Sequence, residues 1–449
     1  MHPSRKTAII LLTIALVGGG ALSLLFLAEK DENESGPPVK VTSPYGLFSP
    51  GTLDGLPPGA ARTMLQTLGM DSLTPYQDYS LGLVKEVGVS WVRINFVFDG
   101  WSFLEAADYL NKLHNAGLQV VGTATIMNRF APADLTVFKT EFGKLIRRYP
   151  WITIWQIGNE PNISWENPDD YPRFFLAGRE LVRDTCSTCR VALAGFAARY
   201  PSQISDSLDF EIYDNIVSEI VRKAPADGHP PFDIFDLHYY GFYDSQRDVL
   251  QTIRNTHGLL SVHGVDINTD FWVTETATTS GQPAFPPEAP PQTEDQQAAE
   301  LVERFTAMLS EGVSHVSWSR PYENYRYTDD EGSFYNYAGL IYNGLGQEEA
   351  SGIKAGTKKK AFYAYQTLVA RTAAAVEVQR LALGQYRFSF RGSRSPVYVL
   401  WSDSAAALPD EITGPVNVTD LMGKQRQTMA EDLSLGPMPV FVESRPLTN

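Results

Sequence analysis

Between residues 45 and 372 a short β-branched run followed by a helical stretch recurs eight times, and this rhythm restricts the fold more than any other feature of the chain. Strand-like runs fall at 45–48, 91–96, 119–126, 153–157, 190–194, 234–238, 271–274 and 314–318. Helical patterns separate them at 79–87, 103–115, 135–148, 173–183, 212–222, 248–256 and 296–310, and a last one covers 358–372. Strands at this spacing run parallel and are joined by right-handed crossovers. Eight such units close into a (β/α)8 TIM barrel of the α/β class rather than an open doubly wound sheet. No Gly-x-Gly-x-x-Gly or Walker-type loop follows the early strands, so a nucleotide-binding sheet has no motif to support it.

The rhythm changes after Ala373. Short alternating runs at 376–383, 386–391, 397–401, 416–418 and 440–443 are split by Gly, Pro, Asp and Ser. They predict a small all-β sandwich module over 374–449, with one face against the barrel of 45–373 and a stabilising rather than substrate-binding role. At the other end, Arg5 and Lys6 precede an uncharged run from Thr7 to Ala28, which meets Glu29, Lys30, Asp31 and Glu32. About 20 apolar residues cross a bilayer core. Leu27 and Phe26 before Ala28 make a poor cleavage site, whereas Gly18-Gly19-Gly20 could interrupt the helix. An uncleaved signal anchor over 1–28 is the expectation, with a cleaved signal as the alternative. Either places the body of the protein outside the cytoplasm, and 29–44, with Pro37-Pro38, reads as a tether. Cys186 and Cys189 are too few for a zinc site and read as a small surface disulfide. Asn33, Asn162 and Asn417 open Asn-x-Ser/Thr triplets, which occur often by chance.

In such a barrel the chemistry gathers at the C-terminal ends of the strands. The fourth strand delivers Trp155-Gln156-Ile157-Gly158-Asn159-Glu160-Pro161 there, and the seventh Phe271-Trp272-Val273-Thr274-Glu275-Thr276. Strands four and seven face each other across the barrel mouth. Two carboxylates so placed are what cleavage of a glycosidic bond requires, one to protonate the leaving oxygen and one to attack or activate water. Singly, Glu160 could start a helix and Glu275 could be a solvated loop residue; together, at strand ends in Trp-rich contexts, they read as a catalytic pair. With 37 basic and 52 acidic residues the net charge is 37 − 52 = −15. That balance argues against nucleic acid or an anionic membrane surface as the main partner, while 8 Trp and 21 Tyr supply flat rings for sugars or for a large core.

These strand ends resemble the clan A retaining glycoside hydrolases, whose barrels include families 5 and 39. The resemblance is carried by Asn159-Glu160-Pro161 after the fourth strand and Glu275 after the seventh. It extends to Arg93 on the second strand, His238-Tyr239-Tyr240 on the sixth, Trp318 on the eighth, and residues 418–423 and 439–442 of the C-terminal module. It implies catalytic roles for Glu160 and Glu275 and substrate-binding roles for Arg93, Asn159, His238, Tyr240 and Trp318. Glu160 would begin protonated, its pKa raised by the neighbouring carboxylate. Glu275 would stay ionised through hydrogen bonds from Arg93 and Tyr240. Asn159 would bind the hydroxyl beside the reacting carbon, and Trp318 would offer a ring face to the sugar. Read from the residues alone, Arg93 could instead pair structurally with a barrel acid, and His238 could be a bonded core histidine. Trp101, the loop 322–327 and the Pro-rich segment 282–291 could line the cleft or simply pack.

The expected activity is therefore a retaining glycosidase acting on β-linked glycans, with a carbohydrate as its partner. A catalytically silent glycan-binding barrel and a transglycosylase are the alternatives. No His-x-x-x-His or Asp-rich loop suggests a metal, and the chemistry needs no cofactor.

Overall fold

The computed structural model describes residues 35–48, 73–98, 107–126, 135–165, 167–198, 208–241, 246–265, 269–283, 290–323, 334–344, 352–404 and 406–444. The apolar run to Ala28, Asn33, Trp101, residues 284–289 and residues 324–333 lie outside them. Among the described residues no helix is long and apolar enough to cross a membrane.

A strand β1 (Val39–Lys40) precedes the barrel, whose strands are β2 (Tyr45–Phe48), β3 (Trp91–Val97), β4 (Gln119–Thr125), β5 (Ile154–Ile157), β6 (Arg190–Leu193), β7 (Phe196–Ala198), β8 (Ile234–Tyr239), β9 (Asp270–Thr276) and β10 (Val313–Trp318). Between and after them run the helices α1 (Leu73–Val87), α2 (Ala107–Asn115), α3 (Thr136–Arg148), α4 (Pro161–Ser164), α5 (Tyr171–Thr185), α6 (Leu208–Lys223), α7 (Gln246–Val262), α8 (Glu294–Ser310) and α9 (Lys360–Thr372). All barrel pairings are parallel, in the order β6-β5-β4-β3-β2-β10-β9-β8-β7. The ring closes because β6 also pairs with β8, Ala192 against Ile234. β6 and β7 are thus the two halves of one fifth strand, broken at Ala194-Gly195, and the barrel has the eight staves that the sequence predicts.

Side chains alternate in and out along each strand, so the interior fills in layers. Trp91, Val121, Ile154, Ala192, Ile234 and Trp272 form one such layer. The tryptophans need room, and glycines supply it. A Cβ on Gly46 would stand 2.3 Å from the Trp91 indole, and one on Gly122 would stand 2.4 Å from that of Trp155. Outside the ring, the helices cover the strands with Phe138, Phe142, Phe174, Phe175, Ile216 and Leu301, all buried.

After α9 the chain forms β11 (Glu377–Ala382), β12 (Gln385–Ser389), β13 (Val397–Leu400), β14 (Pro415–Thr419), β15 (Gln425–Met429) and β16 (Val440–Ser444). With β1 they make one antiparallel sheet of seven strands, ordered β1-β11-β12-β13-β16-β14-β15. Its period of two is plain in β13: Val397 and Val399 join the main core, whereas Tyr398 and Leu400 join a separate cluster with Ile412, Val418 and Leu433. Ion pairs bind the sheet to the barrel: Arg371 of α9 to Glu443 at 3.0 Å, and buried Arg380 of β11 to Glu311 at 3.3 Å. The second half of the stretch read as a tether is bound too, since Val39 pairs with Val378 and Gly36 donates its N–H to Arg380.

Candidate active site

Five strand ends converge at the C-terminal mouth of the barrel. β3 supplies Arg93, and the chain leaving β5 supplies Asn159 and Glu160. β8 supplies Asp236, His238 and, just beyond it, Tyr240; β9 supplies Thr274 and Glu275; Arg320 follows β10. On β8 these residues are two apart, as one strand face requires. β9 breaks that rule. Asp236 faces Trp272 and His238 faces Glu275, while on the other side Val316 faces Val273 and Trp318 faces Thr276. Both neighbours therefore advance two residues while β9 advances three, a β-bulge that places an extra residue in the strand and re-aims its side chains. Thr274 and Glu275 consequently both reach site residues.

Glu275 is buried and held from two sides. One Arg93 Nη donates to its Oε1, and the Tyr240 hydroxyl donates to its Oε2 at 2.5 Å. Burial alone would raise this carboxyl. The His238 and Arg93 charges and the Tyr240 hydrogen bond outweigh burial and hold it down to about 2. Burial and the Glu275 charge in turn push the Tyr240 hydroxyl well above the ordinary tyrosine range, so it stays a donor. Arg93 is fully buried and spends its other donors on Thr123 Oγ1 at 2.9 Å, Gln156 Oε1 at 2.6 Å and Asn159 Oδ1 at 2.6 Å.

Glu160 is half-buried and sits in a different setting. It adopts φ 43° and ψ 55°, a left-handed backbone costing a non-glycine residue about 1–2 kcal/mol and further disfavoured before Pro161. That turn ends β5, starts the short helix α4 and points the carboxylate at His238, whose Nδ1 is 2.8 Å from Glu160 Oε1. His238 is buried, which by itself would lower its pKa. The Glu275 charge, with Asp236 and Glu160, overrides this and raises it to about 10. Gly195, at the break in the fifth strand, makes room for the ring: a Cβ there would lie 1.9 Å from His238 Nε2.

One ligand-type atom from each of Glu160, His238 and Glu275 lies within 4.8 Å of the others. Three such groups are of a type that can hold a metal, but here each acid already faces a nitrogen partner. Arg93 donates to Glu275 Oε1, and His238 Nδ1 lies 2.8 Å from Glu160 Oε1.

The structure brings together Arg93, Asn159, Glu160, His238, Tyr240 and Glu275. It does not bring Trp318 to the cleft. That indole is 0% exposed, its N–H donates to Ala338 O at 3.0 Å and it packs on Phe305. The expected sugar-facing ring is covered by chain that returns after β10. Tyr322 likewise packs inward on Tyr76 and Tyr79. Asn162 is not free for a glycan: its amide holds the backbone of Ala197 through both Oδ1 and Nδ2. Cys186 and Cys189 are disulfide-bonded. The residues not anticipated are Gln156, Asp236, Thr274, Arg320 and Tyr335. Stepping two back from His238 would have found Asp236. Tyr335 stacks its ring edge on Tyr240, and the Arg320 guanidinium lies 4.3 Å over the Tyr335 ring.

These charges set a pH signature for stability. The folded state keeps the His238 proton to about 10, whereas the unfolded chain releases it near 6.5. Between those values the folded state binds more protons, so stability should fall as pH rises, by up to about 1.4 kcal/mol per pH unit. Glu275 acts at the other end: its contribution is complete above 4.5 and lost as pH falls through about 2. Thermal denaturation from pH 6.5 to 10 should show the alkaline decline in the wild type and a shallower one in His238→Gln. Parallel curves for the two would contradict the assignment of the charge to His238.

No family model and no curated protein sequence matches the chain. Its likeness is to solved structures and is one of fold. A family 39 glycoside hydrolase from Bacteroides cellulosilyticus WH2 superposes with a TM-score of 0.58 at 11% identity, over 90% of this chain and 81% of that one. A glucosidase from Croceicoccus marinus gives 0.60 at 13% identity, over 91% and 97%. A β-glucosidase from Thermotoga maritima gives 0.51 at 12% identity, over 74% and 99%. The barrel, and in the first two cases nearly the whole chain with its C-terminal sheet, is a fold that glycoside hydrolases also adopt.

Proposed function

We propose that this chain is a retaining glycoside hydrolase of the clan A type, cleaving β-linked glycans by double displacement. The observation that carries the reading is the approach of Glu160 and Glu275, each with an oxygen within 4.8 Å of the other. Retaining enzymes place their carboxyl groups about 5–5.5 Å apart, whereas inverting ones leave about 6.5–9.5 Å for a water between them. The names of the fold neighbours, a family 39 glycoside hydrolase, a glucosidase and a β-glucosidase, support the same class.

The two acids take different jobs because their partners differ. Glu275, held ionised by Arg93 and Tyr240, attacks the anomeric carbon and forms a glycosyl ester. Glu160, beside His238 and more exposed than Glu275, gives its proton to the leaving oxygen and then takes one from the attacking water. Asn159, oriented by Arg93, meets the hydroxyl beside the reacting carbon. Glu275→Gln should lose turnover on every glycoside. Glu160→Ala should be severe for natural linkages and mild for activated aryl glycosides. Azide should rescue Glu160→Ala as the β-glycosyl azide and Glu275→Ala as the α-glycosyl azide. The opposite pairing would reverse the roles, and a wild-type product of inverted configuration would remove the mechanism.

The reading includes location and parts. Residues 1–28 anchor the chain in a membrane, the barrel of 45–373 works outside the cytoplasm, and the module of 374–449 supports it. N-terminal sequencing of the mature protein should find the segment before Glu29 still attached; a start near Glu29 would show a cleaved signal instead.

A further inference from the structure

The His238 ring has two nitrogens, and only one looks at Glu160. Nδ1 lies 2.8 Å from Glu160 Oε1 and 3.7 Å from Glu275 Oε1. Nε2 looks back into the barrel, 3.3 Å from Thr274 Oγ1 and 3.4 Å from Asp236 Oδ2. A threonine hydroxyl has one hydrogen to give. Thr274 gives it to Asp236 Oδ2, at 2.5 Å. Toward His238 its oxygen can then only accept, which requires a hydrogen on Nε2. Asp236 cannot turn away. It is fully buried, its Oδ1 accepts the Thr274 backbone N–H at 2.9 Å, and its Oδ2 also accepts the Gln156 amide at 2.5 Å. Gln156 is pinned in turn by Arg93 and by Leu193 O.

We infer that Thr274 and Asp236 are positioning residues that keep the hydrogen on His238 Nε2, so that the ring exchanges protons with the site only through Nδ1 and Glu160. The inference rests on the reading of Glu160 as the acid/base. One proton then belongs to the pair of Nδ1 and Glu160 Oε1. When Glu160 holds it, Nδ1 of the neutral ring accepts from the carboxylic acid. When it passes to the leaving oxygen, the glycosidic C–O bond breaks and Glu160 becomes a carboxylate. In the second half-reaction water supplies a proton to the pair as its oxygen bonds to the anomeric carbon and the ester bond to Glu275 breaks. The opposite tautomer would set an Nδ1–H against the acid hydrogen of Glu160. The charged and titratable groups around the ring fit this arrangement: Asp236 and Tyr240 on its own strand, Glu160 from β5, and Glu275 from β9 with Arg93 behind it. From the fifth strand, Gly195 faces the ring.

The test compares Thr274→Val, which keeps shape and removes the hydroxyl, with Thr274→Ser, which restores it, and Asp236→Asn, which removes the charge. Nitrogen-15 NMR of histidine-labelled protein, with His238 assigned through His238→Gln, should show Nε2 keeping its hydrogen as pH is raised through about 10 and the ring gives up its second proton, in the wild type and Thr274→Ser. Thr274→Val should lose that signal or mix the tautomers. A bare Nε2 in the wild type, or an unchanged signal in Thr274→Val, would overturn the inference whether or not the protein cleaves any glycoside. In kinetics, Thr274→Val should lose about tenfold or more in kcat/KM on poor leaving groups, within the range of general acid catalysis, and little on activated ones. Asp236→Asn should move the alkaline limb of kcat/KM to lower pH. Equal loss on both classes of leaving group, with the limb unmoved, would mean that the two residues only hold the fold. Absence of hydrolysis in the wild type would sink the glycosidase reading and leave the NMR result to decide the role of Thr274.

Discussion

A guanidinium buried inside a barrel is tolerable only if every side of it is met, and Arg93 is where this structure meets that demand. Moving such a cation out of water costs several kcal/mol unless it is paired and hydrogen-bonded. Its partners come from β4 (Thr123), β5 and the turn after it (Gln156, Asn159) and β9 (Glu275), while Phe48 of β2 lies under its face at 4.6 Å. One side chain therefore ties the ends of staves on both sides of the mouth. Because Glu275 is the partner that carries charge, the same contact that stabilises the barrel keeps that carboxylate ionised.

From that anchor the difference between the two glutamates follows. Glu275 is locked by Arg93 and Tyr240 in a buried position, and the bulge in β9 lets Thr274 stand beside it without turning either side chain away. Glu160 instead faces His238, and it sits on a strained turn at the edge of solvent. The contacts that hold Glu275 ionised are not shared by Glu160. The asymmetry that the proposed double displacement needs lies in the surroundings of two chemically identical groups.

Much of this was legible in the sequence because it rests on periodicity. The eight staves show as runs of β-branched residues between helices, and a carboxylate directly after such a run falls at the barrel mouth. The site roles of Arg93, His238 and Tyr240 rest on the resemblance at matching strand ends. What did not show depends on breaks in periodicity or on distant chain. Thr274 should point away from Glu275 on a regular strand, and nothing in Val273-Thr274-Glu275 announces a bulge. The burial of Trp318 is set by Ala338, twenty residues on, in a stretch with no period. β15 leaves no trace in the sequence because Gln425–Met429 is a polar edge strand, exposed along most of its length, with no apolar face to alternate. β1 is two residues long and borrows its stability from β11.

The central claim is that Glu275 is the nucleophile of a glycosyl ester. Incubation with a set of 2-deoxy-2-fluoro-β-glycosyl fluorides, followed by peptide mass mapping, tests it most directly. The electron-withdrawing fluorine slows both displacements and the fluoride leaving group keeps the first one accessible, so the ester accumulates. The account predicts one added fluoroglycosyl group, on the peptide containing Glu275, and none in Glu275→Gln. A label on Glu160, or steady hydrolysis of these substrates without any ester, would contradict it.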